Sequence, residues 1–261
     1  MINAELHKDP TALDTVAHRK LRLDTGLNAT ERFAPFASAM ITFAEFGPCS
    51  REYPILFVMA DKDEKTGRQQ VAPVAMFGLD RGENLFVTDN QWTGEYLPAM
   101  FRSYPFTLAR VDENDRWALV FDASWQGVSE GGKGEALFDD AGKATPFLEG
   151  LHKFTQDIEH DIERTRVGGQ ELLAMNLLKP MRFDATLPDG KKVTLDGFLT
   201  VDEDKLQNLP DAQVVQLHRN GLLGLLHIHR LSLVNMQRVL QRRVARENLA
   251  AAKALAGAAN S

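Results

Sequence analysis

Cysteine occurs once in this chain of 261 residues, at Cys49. No intrachain disulfide can form, and no cysteine-rich zinc or iron–sulfur site can be assembled. Such usage suits a reducing compartment. Long apolar runs are missing as well. Glu5, Asp9, Pro10 and Asp14 fall within the first twenty residues, where a secretory signal needs an unbroken apolar stretch. The most apolar segment, GLLGLLHIHRLSLV from Gly221 to Val234, is interrupted by His227, His229 and Arg230 and is shorter than the roughly 20 residues of a membrane span. The expectation is a cytoplasmic chain without a transmembrane segment. With a net charge of −6 there is no general attraction to phosphate backbones, so nucleic acid is not the expected partner.

Tryptophan and tyrosine are scarce, three of each, and they are not spread evenly. Tyr53, Trp92, Tyr96, Tyr104, Trp117 and Trp125 all lie between positions 53 and 125. These side chains combine a large apolar area with a polar tip that needs a partner when buried, so they mark specific packing or a binding surface.

What remains is ordinary globular composition, 44% hydrophobic and 25% charged. Short apolar segments at Met40 to Phe46, Tyr53 to Ala60, Val71 to Leu79, Asn84 to Thr88, Phe106 to Val111 and Arg116 to Phe121 sit between turn signals and predict strands. The connections DKDEKTGRQ and DEND have the polar character of hairpin loops, which predicts antiparallel pairing. From Pro146 the period changes. Phe147, Leu151, Phe154, Ile158 and Ile162 recur at helical spacing, with Thr145 as N-cap, and Gly168-Gly169 predicts an interruption or an end. A second helical piece is predicted from Gln170 to Leu178, stopped by Pro180. A hairpin around Pro188-Asp189-Gly190 follows, then a helix from Asp211 to Arg219, a break at Asn220-Gly221, and a long helix from about Leu222. The expected fold class is α+β, an antiparallel sheet mainly from the N-terminal half with helices from the C-terminal half. The expected organisation is an arm over residues 1–30, one domain over 31–246 and an alanine-rich, fraying tail over 247–261.

Few patterns carry chemistry. Gly127 to Lys133 satisfies GxxxxGK, yet Gly134 stands where a P-loop needs Ser or Thr, and no helix is predicted after it. Glu149 and His152, then His160 and Glu163, lie on the predicted long helix, but a di-iron bundle needs a second such motif on another helix and further glutamates. The apolar stripe claims the buried face, so these groups are expected to point outward. His227 and His229 are two apart, a spacing that converges on a strand but not on a helix. They are expected at the edge of the core or on the surface. No metal and no cofactor is expected. Cys49 follows Gly47-Pro48 without a readable base, which favours a small buried hydrophobe over a nucleophile. Ala212 to Arg246 holds six arginines, Arg219, Arg230, Arg238, Arg242, Arg243 and Arg246, and no lysine or acidic residue. That +6 segment leaves −12 for the rest of the chain. The arginines are expected to pair with the acidic body or with a second subunit, making a homo-oligomer through this helix one expected partner.

Between Asn84 and Phe106 the chain reads NLFVTDNQWTGEYLPAMFRSYPF, and a helical turn is predicted from Glu95 to Ser103. Together with Tyr53-Pro54-Ile55, Gly134-Glu135-Ala136-Leu137-Phe138 and the closing LHRNGLLGLLHIHRLSL, this string resembles the bacterial SapC family from about His18 to Arg243. The resemblance implies an accessory or binding protein linked to surface-layer or nutrient-uptake systems, distinct from the membrane peptide permease that shares the name. It carries no catalytic residue across. From the residues themselves, Tyr53, Trp92, Tyr96, Arg102 and Tyr104 are the candidate ligand-binding set. Aromatic faces with one guanidinium suit a carboxylate-bearing or aromatic small molecule or peptide. The alternative is an enzyme acting on a small molecule or peptide at the same Trp92 to Tyr104 region.

Overall fold

Short apolar segments between turn signals form antiparallel strands in the N-terminal half. A computed structural model of the protein describes residues 2–63, 66–110 and 117–259. Strands Ile55–Ala60 and Gln70–Met76 pair with Leu56 opposite Val74. Phe106–Arg110 and Trp117–Asp122 pair with Phe106 opposite Phe121. The DEND connection between this second pair lies outside the described residues. Helices dominate after Pro146, and the fold is α+β with antiparallel sheets mainly in the N-terminal half.

The chain forms two compact units, each built from separated stretches. The first takes Met1–Phe33, Asp89–Gln91 and Ala99–Asp161. It holds a three-stranded sheet with Trp117–Asp122 between Pro10–Ala12 and Phe106–Arg110. In a second small sheet, Leu21–Leu23 lies between Val128–Glu130 and Glu135–Ala136. The predicted N-terminal arm therefore supplies two strands. The GxxxxGK stretch contains the strand Val128–Glu130, and a strand rather than a helix follows it. Phe33, Phe101, Phe106, Phe121 and Leu148 are buried, with Phe33 and Phe101 stacked at 4.3 Å.

The second unit takes Ala34–Thr88, Trp92–Pro98 and Ile162–Ser261. Its five-stranded sheet runs in the order Leu178–Thr186, Lys192–Val201, Ile55–Ala60, Gln70–Met76, Ser38–Met40. In the predicted hairpin, Met181 faces Phe198 and Phe183 faces Leu195, so Asp196 and Gly197 together oppose Arg182. This bulge, with Gly197 at φ 79°, turns Leu195 and Phe198, three residues apart, to the same face. Both pack on the core of Leu56, Val74, Met76 and Met236. Pro180 sits in the outermost strand, where a missing N–H is tolerated.

Several departures from the pattern have identifiable physical causes. Met40 to Phe46 is not one strand. The strand ends at Met40, and a 3-10 turn Phe43–Glu45 leads into a helical turn Phe46–Cys49. The Glu45 carboxylate reaches back to the Thr42 amide at 2.8 Å, a capping-box closure that overrides the apolar run. Only Val87–Thr88 of the Asn84 to Thr88 strand forms, because Asn84 Oδ1 accepts the Phe86 amide at 3.0 Å and turns the chain. The helix expected from Glu95 spans Ala99–Arg102, since Pro98 disfavours helical backbone at Leu97. Finally, one helix of 29 residues, Pro146–Ala174, runs straight through Gly168-Gly169.

Those glycines serve close approach. A Cβ on Gly168 would lie 2.5 Å from a Phe43 ring carbon, and one on Gly169 would lie 2.8 Å from the Val71 carbonyl oxygen. Leu148, Thr155, Thr165, Gly168, Gly169 and Leu172 are the buried positions of the helix, while the predicted stripe residues are half-buried beside them. The break at Asn220-Gly221 forms where expected, with Gly221 at φ 82°. Beyond it, Leu222–Ser232 and Asn235–Ala259 are two helices rather than one. The stretch expected to fray continues the second of these.

Gly169→Ala is expected to destabilise the protein by about 1–3 kcal/mol, because the obstructing atom is backbone and the cost of overpacking exceeds the gain in helix propensity. Gly150→Ala, on the same helix with nothing within 4 Å of its Cβ, is expected to stabilise by about 0.5–1 kcal/mol. Urea unfolding of both variants checks the pair; equal effects would remove the close-approach explanation.

Candidate functional site

Tyr53 ends the turn that follows Phe46–Cys49, its amide donating to the Cys49 carbonyl at 2.8 Å, and it is completely buried. A buried phenol needs an acceptor, and Tyr53 Oη donates to the Tyr96 carbonyl at 2.5 Å. Trp92 Nε1 donates to that same oxygen at 3.2 Å. The rest of Tyr96 is equally committed. Its amide donates to Glu52 Oε1 at 2.8 Å, beside the Glu95 amide on Glu52 Oε2. Its hydroxyl donates to Glu45 Oε1 at 3.1 Å, and the other oxygen of that carboxylate accepts from the Thr42 amide.

Around this network the rings of Tyr53, Phe77, Phe86 and Trp92 interlock. Tyr53 meets Phe77 and Phe86 edge-on at 5.2 and 4.8 Å, and Phe86 stacks on Trp92 at 6.0 Å. The guanidinium of Arg242 lies 4.0 Å from the Phe86 ring centroid and donates to Thr93 Oγ1 at 3.0 Å. The guanidinium beside these rings comes from the C-terminal helix and not from Arg102.

The neighbouring arginines hold that helix to the same stretch of chain. Arg243 reaches Asp80 at 2.6 Å, Glu83 at 2.8 Å and Glu247 at 2.8 Å, and its pKa is raised chiefly by the hydrogen bond to Glu247. Arg246 donates to the carbonyls of Asn84 and Val87 at 2.7 and 2.9 Å, and Arg238 to that of Arg51 at 2.7 Å. Elsewhere in the segment, Arg230 pairs with Glu203 at 2.8 Å.

Arg102 and Tyr104 belong to the first unit. Arg102 is exposed and its guanidinium stands over the Phe154 ring at 5.3 Å. Tyr104 is buried and its hydroxyl donates to Asp122 Oδ2 at 2.7 Å. Asp122 Oδ1 also accepts the Asp9 amide and the Ser124 hydroxyl, at 2.9 and 2.8 Å. Burial pushes the Asp122 pKa up, but the bonds from Tyr104, Asp9 and Ser124 outweigh it and hold the carboxyl at about 2. Burial, aided by Asp122, raises the Tyr104 hydroxyl, and burial followed by Glu52 raises that of Tyr53, so neither phenol ionises near neutrality. The five candidates thus fall into two groups, Tyr53 with Trp92 and Tyr96, and Arg102 with Tyr104 in the other unit.

Glu149, His152, His160 and Glu163 are exposed, as is His227, while His229 is fully buried. Among the described residues no group of His, Cys, Asp and Glu could hold a metal ion, and no helix is long and apolar enough to cross a membrane. The SapC family model matches residues 13–239, which includes Tyr53, Trp92, Tyr96, Arg102 and Tyr104. The chain belongs to the SapC family. No curated protein and no solved structure matches it. Glu45, Glu52 and Phe86 organise this part of the SapC chain and are not singled out by the sequence, which marks Arg242 only as a partner for carboxylates. Thr42-x-x-Glu45 carried a readable capping signal; the approach of Arg242 to Phe86 had none.

Because Tyr53 and Trp92 share one acceptor, their contributions are expected to couple. Tyr53→Phe is expected to cost about 1–2 kcal/mol, and the cycle with Trp92→Phe to show a coupling of about 0.5 kcal/mol or more, read by urea unfolding. Additive losses would mean the carbonyl is not shared. The depressed pKa of Asp122 adds stability that is fully present above pH 3.8 and lost as pH falls toward about 2. Tyr104→Phe is expected to raise that pKa and shorten the window, measured by carboxyl titration in NMR; an unchanged pKa would remove Tyr104 from the account.

Proposed function

We propose that this SapC-family chain is a non-catalytic accessory or binding protein, linked to bacterial surface-layer or nutrient-uptake systems, that docks a small molecule or peptide on the half-exposed rings of Trp92 and Tyr96. One observation carries this reading: the polar atoms of the aromatic cluster are spent on internal hydrogen bonds. General acid–base or nucleophilic chemistry needs a group placed to exchange a proton with a substrate at working pH. A phenol raised by burial and tied to a carbonyl does not meet that need. Stacking on an aromatic face does not require it.

The second reading is an enzyme acting on a small molecule or peptide at the Trp92 to Tyr104 region, where Arg102 is exposed. Homo-association through the C-terminal helix would use its exposed Leu249 and Leu255, since Arg238, Arg242, Arg243 and Arg246 are held within their own unit.

Native mass spectrometry of the full chain is expected to reveal a non-covalent organic or peptide adduct. Trp92→Ala is expected to lose that adduct, with affinity falling about tenfold or more and the fold retained by circular dichroism. An adduct lost instead on Arg102→Ala, or a tightly held organic cofactor, would favour the enzyme.

A further inference from the structure

Three fully buried polar side chains, His229, Ser232 and Asn235, follow one another at three-residue intervals across the junction of helices Leu222–Ser232 and Asn235–Ala259. Two are fully used. Ser232 Oγ accepts the Ile55 amide at 2.9 Å and donates to the His229 carbonyl at 2.6 Å. Asn235 Nδ2 donates to the carbonyls of Ser50 and Tyr53 at 2.8 and 3.2 Å. His229 is different. Among the described residues neither of its ring nitrogens has a hydrogen-bond partner, and the ring packs 5.1 Å from Phe57 of strand Ile55–Ala60.

A neutral imidazole tolerates such a site at modest cost. An imidazolium brings a full charge and two N–H donors, and burying it without an acceptor is far more expensive. The surroundings supply little compensation. Arg230, next in sequence, is a like charge, and the nearby Glu203 carboxylate is already taken by Arg230. Strand Ile55–Ala60 brings no titratable side chain, and Phe46–Cys49 brings only the Cys49 thiol. Lys192 and Asp196 of Lys192–Val201 are exposed, as are Asp211, His218 and Arg219 of Asp211–Arg219.

We infer that helix Leu222–Ser232 is an acid-sensitive latch: protonation of His229 drives it off strand Ile55–Ala60 and loosens the hold of Asn235 on the Ser50–Tyr53 turn. Burial first, and Arg230 second, lower His229 from 6.5 to about 4, with Glu203 opposing. An unfolded chain therefore takes the proton at a higher pH than the folded one. The latch is fully closed above pH 6.5, weakens as pH falls, and has lost this contribution by about 4.

The test is urea unfolding of the full chain at pH 7.5 and 4.5, for the natural sequence and for His229→Leu, with hydrogen exchange over residues 222–232. His7, also lowered by burial, is common to both proteins and cancels in the comparison. The natural sequence is expected to show a rise in its unfolding constant on the order of 50–100-fold greater than His229→Leu shows over the same interval. Its 222–232 amides are expected to lose protection at pH 4.5 before those of the 162–174 segment. Identical acid responses in the two proteins would overturn the latch. If His229→Leu does not fold, NMR titration of the natural His229 ring decides: an apparent pKa near 4 supports it, and one near 6.5 overturns it.

Discussion

The carbonyl of Tyr96 accepts from two aromatic donors at once, the buried Tyr53 Oη and Nε1 of the half-buried Trp92. The Tyr53 hydroxyl cannot be buried without an acceptor, and the oxygen that serves it also serves Trp92, which lays the 92–96 segment across the turn at 49–53. Glu52 then fixes the amides on that segment and Glu45 fixes the Tyr96 hydroxyl. Asn235 carries the constraint outward by holding the Tyr53 carbonyl, which ties the C-terminal helices to the head of the central strand. Much of the second unit is arranged around satisfying this small group of polar atoms.

The same reasoning explains the unusual charge of the C-terminal helices. A segment with six arginines and no acid would repel itself if it stood alone. Here the guanidinium groups find carbonyls of the 84–87 stretch and of Arg51, the carboxylates of Asp80, Glu83 and Glu203, and the face of Phe86. Arginine suits this work because its planar fork reaches several acceptors at once and its weak hydration lets it stack on a ring. A DNA-reading role would require those same groups to face solvent, and only Arg219 and Arg238 are exposed.

The hairpins, the long helix from Pro146 and the Asn220-Gly221 break were legible because each is written in local periodicity and turn chemistry. Met40 to Phe46 misled because its hydrophobic count looked like a strand while Thr42 and Glu45 closed a turn. Gly168-Gly169 misled for another reason: glycine reads as a breaker until a neighbouring carbonyl is known to need the space. The aromatic window was a true signal that merged two things. Tyr53, Trp92 and Tyr96 form one network, whereas Tyr104 and Trp125 pack together in the other unit beside Asp122, and Trp117 begins the central strand of that unit's three-stranded sheet, with the Arg110 guanidinium over its ring.

The sequence by itself determined the α+β class, the antiparallel pairing, the family and the residue types from which a site is built, since these follow from patterns a few residues long or from ordered blocks. Only the tertiary structure decided which donor meets which acceptor. Arg242 and Thr93 are 149 positions apart, and Asn235 and Tyr53 are 182 apart, so no local spacing records either contact. The same holds for His229, which sequence placed at the surface or the edge of the core. Its complete burial arises because a helix face and a strand, far apart along the chain, close over it.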